Sequence, residues 1–178
     1  MARSRAEITA AVGRFVGSLI LALPIMGIVT FAVQMGVAIG LLHCVERPVL
    51  AVLGANVSGE LADVVVRGNW IPFGLALGLP LGAMLGGFVA GLATRRIGAG
   101  APLAGLVMCA HLAAFSSALT GHYLPEIGHT PGPVDTARWA YAGWNAYVLM
   151  SLLTMPVSVA GAYLGLLMPG LGKKTPRP

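Results

Sequence analysis

Three side chains of types that bind metals occur close together at His122, Glu126 and His129. A fourth candidate, His43, lies near the end of a long apolar segment. Imidazole and carboxylate groups can together hold zinc or copper. Because Pro125 is expected to interrupt a helix, the spacing does not place the three side chains on one helical face. The metal site is therefore one hypothesis, and a solvated polar loop is the other.

His111 lies inside a different apolar segment, 97–124, which contains no Asp, Glu, Lys or Arg. An ionisable side chain within a membrane span is a functional candidate by default. A neutral imidazole could ligate a haem or a chlorophyll, although the sequence offers only methionines as a second ligand. The competing interpretation is a hydrogen bond to a neighbouring helix. We expect such bonds from Gln34 and Asn145, the other strongly polar side chains in the apolar segments.

Motifs typical of enzymes are absent from the sequence. It has no Walker sequence, no nucleophile elbow, no HExxH zinc motif and no CxxC pair. Cys44 and Cys109 belong to different apolar segments and are expected to be free thiols. No acidic or basic residue interrupts the apolar segments, as it would in most ion-coupled transporters. We therefore expect that the protein is not an enzyme.

Composition places the chain among membrane proteins. Hydrophobic residues make up 57% of its 178 residues and charged residues only 10%. Four segments without any charge each exceed the roughly 20 apolar residues that cross a ~30 Å hydrocarbon layer. We predict an all-α fold, a polytopic four-transmembrane-helix bundle forming one domain over residues 1–178. The predicted helices lie at about residues 15–43, 70–94, 99–121 and 139–169.

The basic residues are divided unequally between the two predicted sides of the membrane. Arg47, Arg67 and Arg138 fall on one side, and the other eight of the eleven Lys and Arg residues fall on the opposite side. The positive-inside rule makes the more basic side cytoplasmic, which predicts an N-in/C-in, multi-pass protein of a bacterial inner membrane. The net charge of +5 is then a topology signal, and we expect no nucleic-acid partner.

Two segments are predicted to lie at the outward face of the membrane. Residues 48–67 place apolar and polar side chains on opposite sides of a helix, which predicts an amphipathic helix between helices one and two. Aromatic residues cluster where helix four begins, and we expect them to anchor it at the interface. This cluster consists of Trp139, Tyr141, Trp144 and Tyr147.

Small residues recur at intervals of four along the predicted helices. Lipid tails are as apolar as side chains, so helices associate where small residues let their backbones approach. A tight turn at residues 95–100 joins helices two and three, which predicts that these two form a close antiparallel pair. The paired faces would be Gly74, Gly78, Gly82 and Gly86 on helix two, and Gly105, Ala113 and Ser117 on helix three. Helices one and four keep further small residues for contact with a partner: Gly36, Gly40, Gly161 and Gly165.

Helices two and four share a loose pattern. Each has an early tryptophan, a proline in mid-helix, and then a small-residue pair before an aromatic side chain. The matched positions are Trp70 and Trp144, Pro80 and Pro156, and Gly86 to Phe88 with Gly161 to Tyr163. This arrangement resembles an uncharacterised family of small bacterial membrane proteins built from tandem two-helix units. The resemblance implies a repeated two-helix architecture and no particular activity.

Closely packed helices without embedded charge favour a protein that acts through contact with other membrane components. We expect an accessory or scaffold subunit of a larger inner-membrane complex, whose partners are the lipid bilayer and other membrane subunits or further copies of the chain. The alternative is a small conduit or carrier for a neutral solute or a metal ion, because Pro24, Pro80 and Pro156 can free backbone carbonyls to line a cavity. A third hypothesis is a subunit that binds haem or a pigment through His111.

Overall fold

The computed structural model describes residues 5–53, 59–127 and 134–168, which are helical except for the turn at 95–100 and the last residue, Met168. Its four helices are α1 (Arg5–Leu53), α2 (Gly59–Thr94), α3 (Ala101–Ile127) and α4 (Val134–Leu167). Each is long and apolar enough to cross a membrane, with its backbone hydrogen bonds satisfied internally. The predicted all-helical chain with four apolar spans is therefore confirmed, and a multi-pass membrane protein is indicated.

The first two helices are longer than predicted. α1 has 49 residues, which at ~1.5 Å per residue gives about 74 Å and exceeds the ~30 Å of a hydrocarbon layer. The predicted separate amphipathic helix at 48–67 is wrong, since 48–53 continue α1 and 59–67 begin α2. An amphipathic period of 3.6 residues is equally compatible with one helix that continues, and extending a helix costs less than nucleating a new one.

The order of the helices around the bundle differs from their order along the chain. α2 packs most extensively on α4 and α1, α3 packs on α4, and α1 meets α3 at fewer positions. The backbones approach least in the two diagonal pairs, α2 with α3 and α1 with α4. The order around the bundle is therefore α1, α2, α4, α3. The predicted close pair of helices two and three is wrong. Instead, the turn between them packs on the amino-terminal third of α1, where the Gly100 amide donates a 2.7 Å hydrogen bond to Ser18 Oγ.

One glycine stripe of α2 faces α1. Cβ atoms built on its four glycines would lie only 2.7–2.9 Å from α1 atoms of Ala38, Gln34 and Thr30. Those glycines are Gly74, Gly78, Gly82 and Gly86. Residue numbers rise along α2 as they fall along α1, so the two helices are antiparallel. The missing side chains let the backbones approach closely, which is the main source of attraction between helices in lipid.

Two further glycines of α2 lie on a different face of the helix and pack against α4. Gly87 and Gly91 face α4, and Gly161 and Gly165 of α4 face back toward α2. At each of the four positions a Cβ would overlap a backbone carbonyl oxygen of the opposite helix, belonging to Ser158, Ala162, Met84 and Phe88 respectively. Numbers rise together on both helices, so α2 and α4 are parallel. These are the closest of the glycine contacts in the described residues.

Residues that occupy equivalent positions in the α2–α4 interface are 74 residues apart in the sequence. That separation relates Gly87 to Gly161 and Gly91 to Gly165, and it also relates their partners Met84 to Ser158 and Phe88 to Ala162. The two helices thus exchange equivalent contacts, as two copies of one helix would about a two-fold axis. Trp70 and Trp144 have the same separation. The glycine match taken from the sequence, Gly86 with Gly161, is displaced from this relation by one residue.

Candidate ligand cavity

Gln34 links three helices through its side-chain amide. It is 4% exposed, and its Nε2 donates hydrogen bonds to the Leu75 carbonyl at 3.2 Å and to the Tyr147 hydroxyl at 3.4 Å. The expected bonding of Gln34 across helices is therefore confirmed, whereas Asn145 is exposed. Tyr147 was predicted as an interface anchor, and that prediction is wrong. It is only 9% exposed because α4 turns it toward α1 and α2.

Two buried hydroxyl groups lie near this amide. Thr30 Oγ1 donates to the Gly82 carbonyl at 3.2 Å and has Met108 Sδ at 3.9 Å. Ser116 Oγ donates to the carbonyl of Leu112, one turn earlier on α3, at 2.7 Å. Both side chains are buried in an apolar bundle, where a hydroxyl needs such a partner to offset its desolvation. The polar groups of α1, α3 and α4 thus converge on one region.

These polar side chains border a cavity of about 380 Å³ between the four helices, here called the bundle cavity. It is lined by Gly27, Thr30, Phe31, Gln34, Leu75, Met108, Leu112, Phe115, Ser116 and Tyr147. The walls are mostly apolar, and these lining residues include no carboxylate, imidazole or basic group. Such a combination is typical of sites for small uncharged molecules. None of the three mid-helix prolines is among these lining residues, so side chains rather than freed carbonyls supply the polarity.

A groove between α1 and α3 adjoins the bundle cavity. This α1–α3 groove has a volume of about 530 Å³ and is lined by Leu23, Val107, Met108, His111, Leu112 and Phe115. Met108, Leu112 and Phe115 belong to both linings. Phe31 and Phe115, which border the cavity on this side, are each 64% exposed. The cavity therefore opens outward between α1 and α3, on the surface that a membrane would cover with lipid.

The two helices that flank this opening are joined at one end. Ser18 Oγ of α1 accepts the hydrogen bond from Gly100, directly before α3 begins. A Cβ at Gly105, one turn further, would lie 3.1 Å from Met26 Cε of α1 and 2.7 Å from Ser158 Oγ of α4. α1 and α3 are therefore close near these residues, and the opening lies further along both helices.

His111 lies exposed in the α1–α3 groove. Its Nδ1 is 2.8 Å from the carbonyl oxygen of Val107, on its own helix. A carbonyl oxygen can only accept, so Nδ1 carries a proton, and in the neutral form of the ring Nε2 is an acceptor. The expected bond to a neighbouring helix is thus replaced by a bond within α3. The role of His111 as a haem or pigment ligand stays a prediction.

The predicted metal site lies largely outside the described residues. His129 is outside them, as are the side chains of His122 and Glu126, while His43 is exposed on α1. The expected interruption of the helix at Pro125 is wrong, since α3 continues through Pro125 to Ile127. A proline removes one intrahelical hydrogen bond and crowds the preceding turn, but here only two further residues of α3 follow it. The described residues hold no group of three or more His, Cys, Asp or Glu side chains.

The other small residues proposed for helix packing have different surroundings. Gly105 and Ala113 are buried, whereas Ser117 is exposed and donates to the Ala113 carbonyl at 2.8 Å. Gly36 and Gly40 are exposed, and a Cβ at either would meet nothing within 4 Å. Gly161 and Gly165, which were expected to face a partner, are instead covered by α2. Only α1 therefore keeps a stripe of predicted packing glycines that the described bundle does not use.

Searches with protein-family models, among curated proteins and among solved structures found no match for this chain. The resemblance to tandem two-helix proteins therefore rests on the sequence pattern alone. Function has to be argued from the bundle cavity and from the surfaces of the helices.

Proposed function

We propose that the protein is a small membrane carrier or conduit that binds an uncharged solute in the bundle cavity. The observation that carries this proposal is the cavity itself, with mostly apolar walls and a buried cluster of Thr30, Gln34, Ser116 and Tyr147. A charged solute would lose its hydration there without gaining a counter-charge from the described lining. An uncharged molecule with one or two polar groups avoids that cost.

The proposed setting is a bacterial inner membrane with both chain termini in the cytoplasm. The distribution of basic residues supports this orientation through the positive-inside rule. Along α1, the cavity residues run from Gly27 to Gln34, near the middle of the predicted span. A solute bound there would therefore lie within the hydrocarbon layer, far from either aqueous surface.

A matched pair of glycine substitutions on α1 tests this proposal. Gly27 lines the cavity, and a Cβ at this position meets nothing within 4 Å, so a leucine can enter the space without displacing the backbone. Gly17 has the same open surroundings and is not part of the lining. Gly27→Leu should therefore block the cavity, while Gly17→Leu controls for added bulk on the same helix.

The measurement is the content of small molecules in protein purified from native membranes in a mild detergent. Organic extraction followed by mass spectrometry should find an uncharged compound with the wild type and with Gly17→Leu. The content in Gly27→Leu should be at least about tenfold lower, as a loss of ~1.4 kcal/mol in binding free energy would give. Equal contents in both variants, or no compound with the wild type, would contradict the proposal.

A second function, that of an accessory or scaffold subunit, is favoured by the exposed face of α1. Ala32, Gly36 and Gly40 follow one another at intervals of four on this face, and all three are exposed. Such a stripe permits close approach by another membrane helix. A stoichiometric co-purifying membrane protein that is lost from a Gly36→Leu, Gly40→Leu double variant and retained by Gly17→Leu would support this function. A single monodisperse chain without a partner would exclude it.

A further inference from the structure

Two polar side chains of the bundle cavity, Gln34 and Thr30, have their protons directed at other protein groups. The Gln34 amide donates to the Leu75 carbonyl and to the Tyr147 hydroxyl. The Thr30 hydroxyl donates to the Gly82 carbonyl. These side chains therefore offer the cavity oxygen lone pairs, which accept hydrogen bonds and cannot donate them.

Gln34 shows this most clearly. The side chain is almost fully buried, and with both bonds made by Nε2 its carbonyl oxygen Oε1 has no hydrogen-bond partner among the described residues. Among the described residues, Thr154 Oγ1 is the buried side-chain atom without a partner, so Gln34 Oε1 is not sealed off and reaches the cavity surface. A ligand that donates to Oε1 gains a hydrogen bond in apolar surroundings, where such a bond is stronger than in water.

The path from the lipid to the cavity carries an acceptor of the same kind. His111 lines the α1–α3 groove, and its Nδ1 proton is held by the Val107 carbonyl, so Nε2 can accept a hydrogen bond when the ring is neutral. The groove and the cavity adjoin, because Met108, Leu112 and Phe115 line both. A molecule that moves from the groove into the cavity therefore meets the acceptor Nε2 of His111 first and the acceptor oxygens of the cavity afterwards.

We propose that the ligand is a membrane-soluble, uncharged alcohol or phenol. It enters from the lipid through the α1–α3 groove, and its hydroxyl group donates a hydrogen bond to Gln34 Oε1. This inference rests on the proposed function, because it assigns a chemical class to the solute of the same cavity. An ammonium group could also donate, but the described lining residues provide no carboxylate to pair with its charge.

Two probes that differ only in the donor test this inference: 4-hexylphenol and its methyl ether, 4-hexylanisole. Their binding is measured as uptake by nanodiscs that contain the protein, corrected for uptake by protein-free nanodiscs of the same lipid. The phenol should bind the wild type at least about tenfold more tightly than the ether, a factor that one desolvated hydrogen bond can supply. This comparison within the wild type does not depend on whether any variant folds.

Variants then locate the acceptor. Gln34→Met should lower the affinity for the phenol to that for the ether, while Met35→Leu, the adjacent lipid-side position, should leave both unchanged. His111→Leu should slow uptake of the phenol at unchanged equilibrium affinity, because His111 lies in the groove and not in the cavity lining. A phenol preference that survives Gln34→Met would overturn the assignment of Oε1, and an unaltered uptake rate in His111→Leu would overturn the groove as the entry path.

Failure of this inference can be told apart from failure of the proposed function. If the wild type binds phenol and ether equally and Gly27→Leu loses both, the cavity binds solutes without selecting a donor, and the alcohol or phenol class is wrong. If neither probe binds above the protein-free nanodiscs, and extraction finds no compound with the wild type, the proposed function itself is wrong.

Discussion

The α2–α4 interface and the α1–α3 interface lie on opposite sides of one bundle and are built in opposite ways. Between α2 and α4, four glycines bring backbone against backbone along two turns of each helix. Between α1 and α3, the closest contact lies near Ser18 and Gly100, and further along the two helices a cavity and a groove open. Helices in lipid gain little from apolar contact alone, so the tight interface supplies stability and the open one leaves room for a ligand.

The largest expected effect comes from a bulky side chain in the tight interface. Gly91→Leu and Gly165→Leu should each prevent formation of the bundle, because even a Cβ at these positions overlaps a carbonyl oxygen of the facing helix. Size-exclusion chromatography and thermal unfolding in detergent measure the effect. Gly17→Leu is the control, and a bundle that tolerates all three substitutions equally would contradict the α2–α4 packing described here.

A single methyl group in the α1–α2 interface should have a smaller effect. Gly82→Ala places a Cβ 2.8 Å from the carbonyl oxygen of Thr30, and we expect a loss of ~1–3 kcal/mol in the free energy of unfolding. Leu81→Ala, which truncates an exposed neighbour, should cost less. If chemical denaturation in detergent finds Leu81→Ala to be the more harmful of the two, close approach of the backbones does not stabilise this interface.

Two of the buried threonines, Thr30 and Thr154, are expected to respond differently to the loss of the hydroxyl, and both effects are smaller. Thr30→Val removes the hydrogen bond to the Gly82 carbonyl and should cost ~0.6 kcal/mol, the average for such bonds in a membrane bundle. Thr154→Val should be neutral or stabilising, because Thr154 Oγ1 is buried without a partner among the described residues. Equal losses in the two variants would show that burial alone, and not the bond, determines the effect.

The smallest effect is expected on the exposed face of α1. Gly36→Leu should change the unfolding free energy of the purified protein by less than ~0.5 kcal/mol, since nothing lies within 4 Å of a Cβ there. Thermal unfolding in detergent checks this. A marked destabilisation would indicate that this face is covered in the purified protein, by a second copy of the chain or by another subunit.

The four helices could be predicted from the sequence because uninterrupted apolar segments have few alternatives in a membrane. Their neighbours could not. The glycine spacing marked a closely packed face of α2, but a stripe of small residues does not identify the helix that meets it. Chain order suggested α3, and the structure has α1. The second face, with Gly87 and Gly91, has only one repeat of the spacing and was overlooked, although it forms the tighter interface.

The bundle cavity was beyond prediction for a related reason. Its central hydrogen bond joins Gln34 to Tyr147, which are 113 residues apart in the chain. Tyr147 belongs to an aromatic cluster that is typical of membrane interfaces, and nothing local distinguishes it from its neighbours. Thr30 and Ser116 were not singled out, since single hydroxyl residues are common in apolar helices. A site made by four helices depends on their order, and that order was the part of the fold that the sequence left open.

The parallel direction of α2 and α4 has an electrostatic consequence. Each helix carries a macrodipole with roughly half a negative elementary charge at its carboxyl end. Side by side and in the same direction, the two dipoles repel each other, and their negative ends come together where α2 stops at Thr94 and α4 at Leu167. Arg95 and Arg96 follow Thr94 directly. Arg95 and Arg96 therefore offset the repulsion between the two helices, in addition to the part that they have in the predicted orientation.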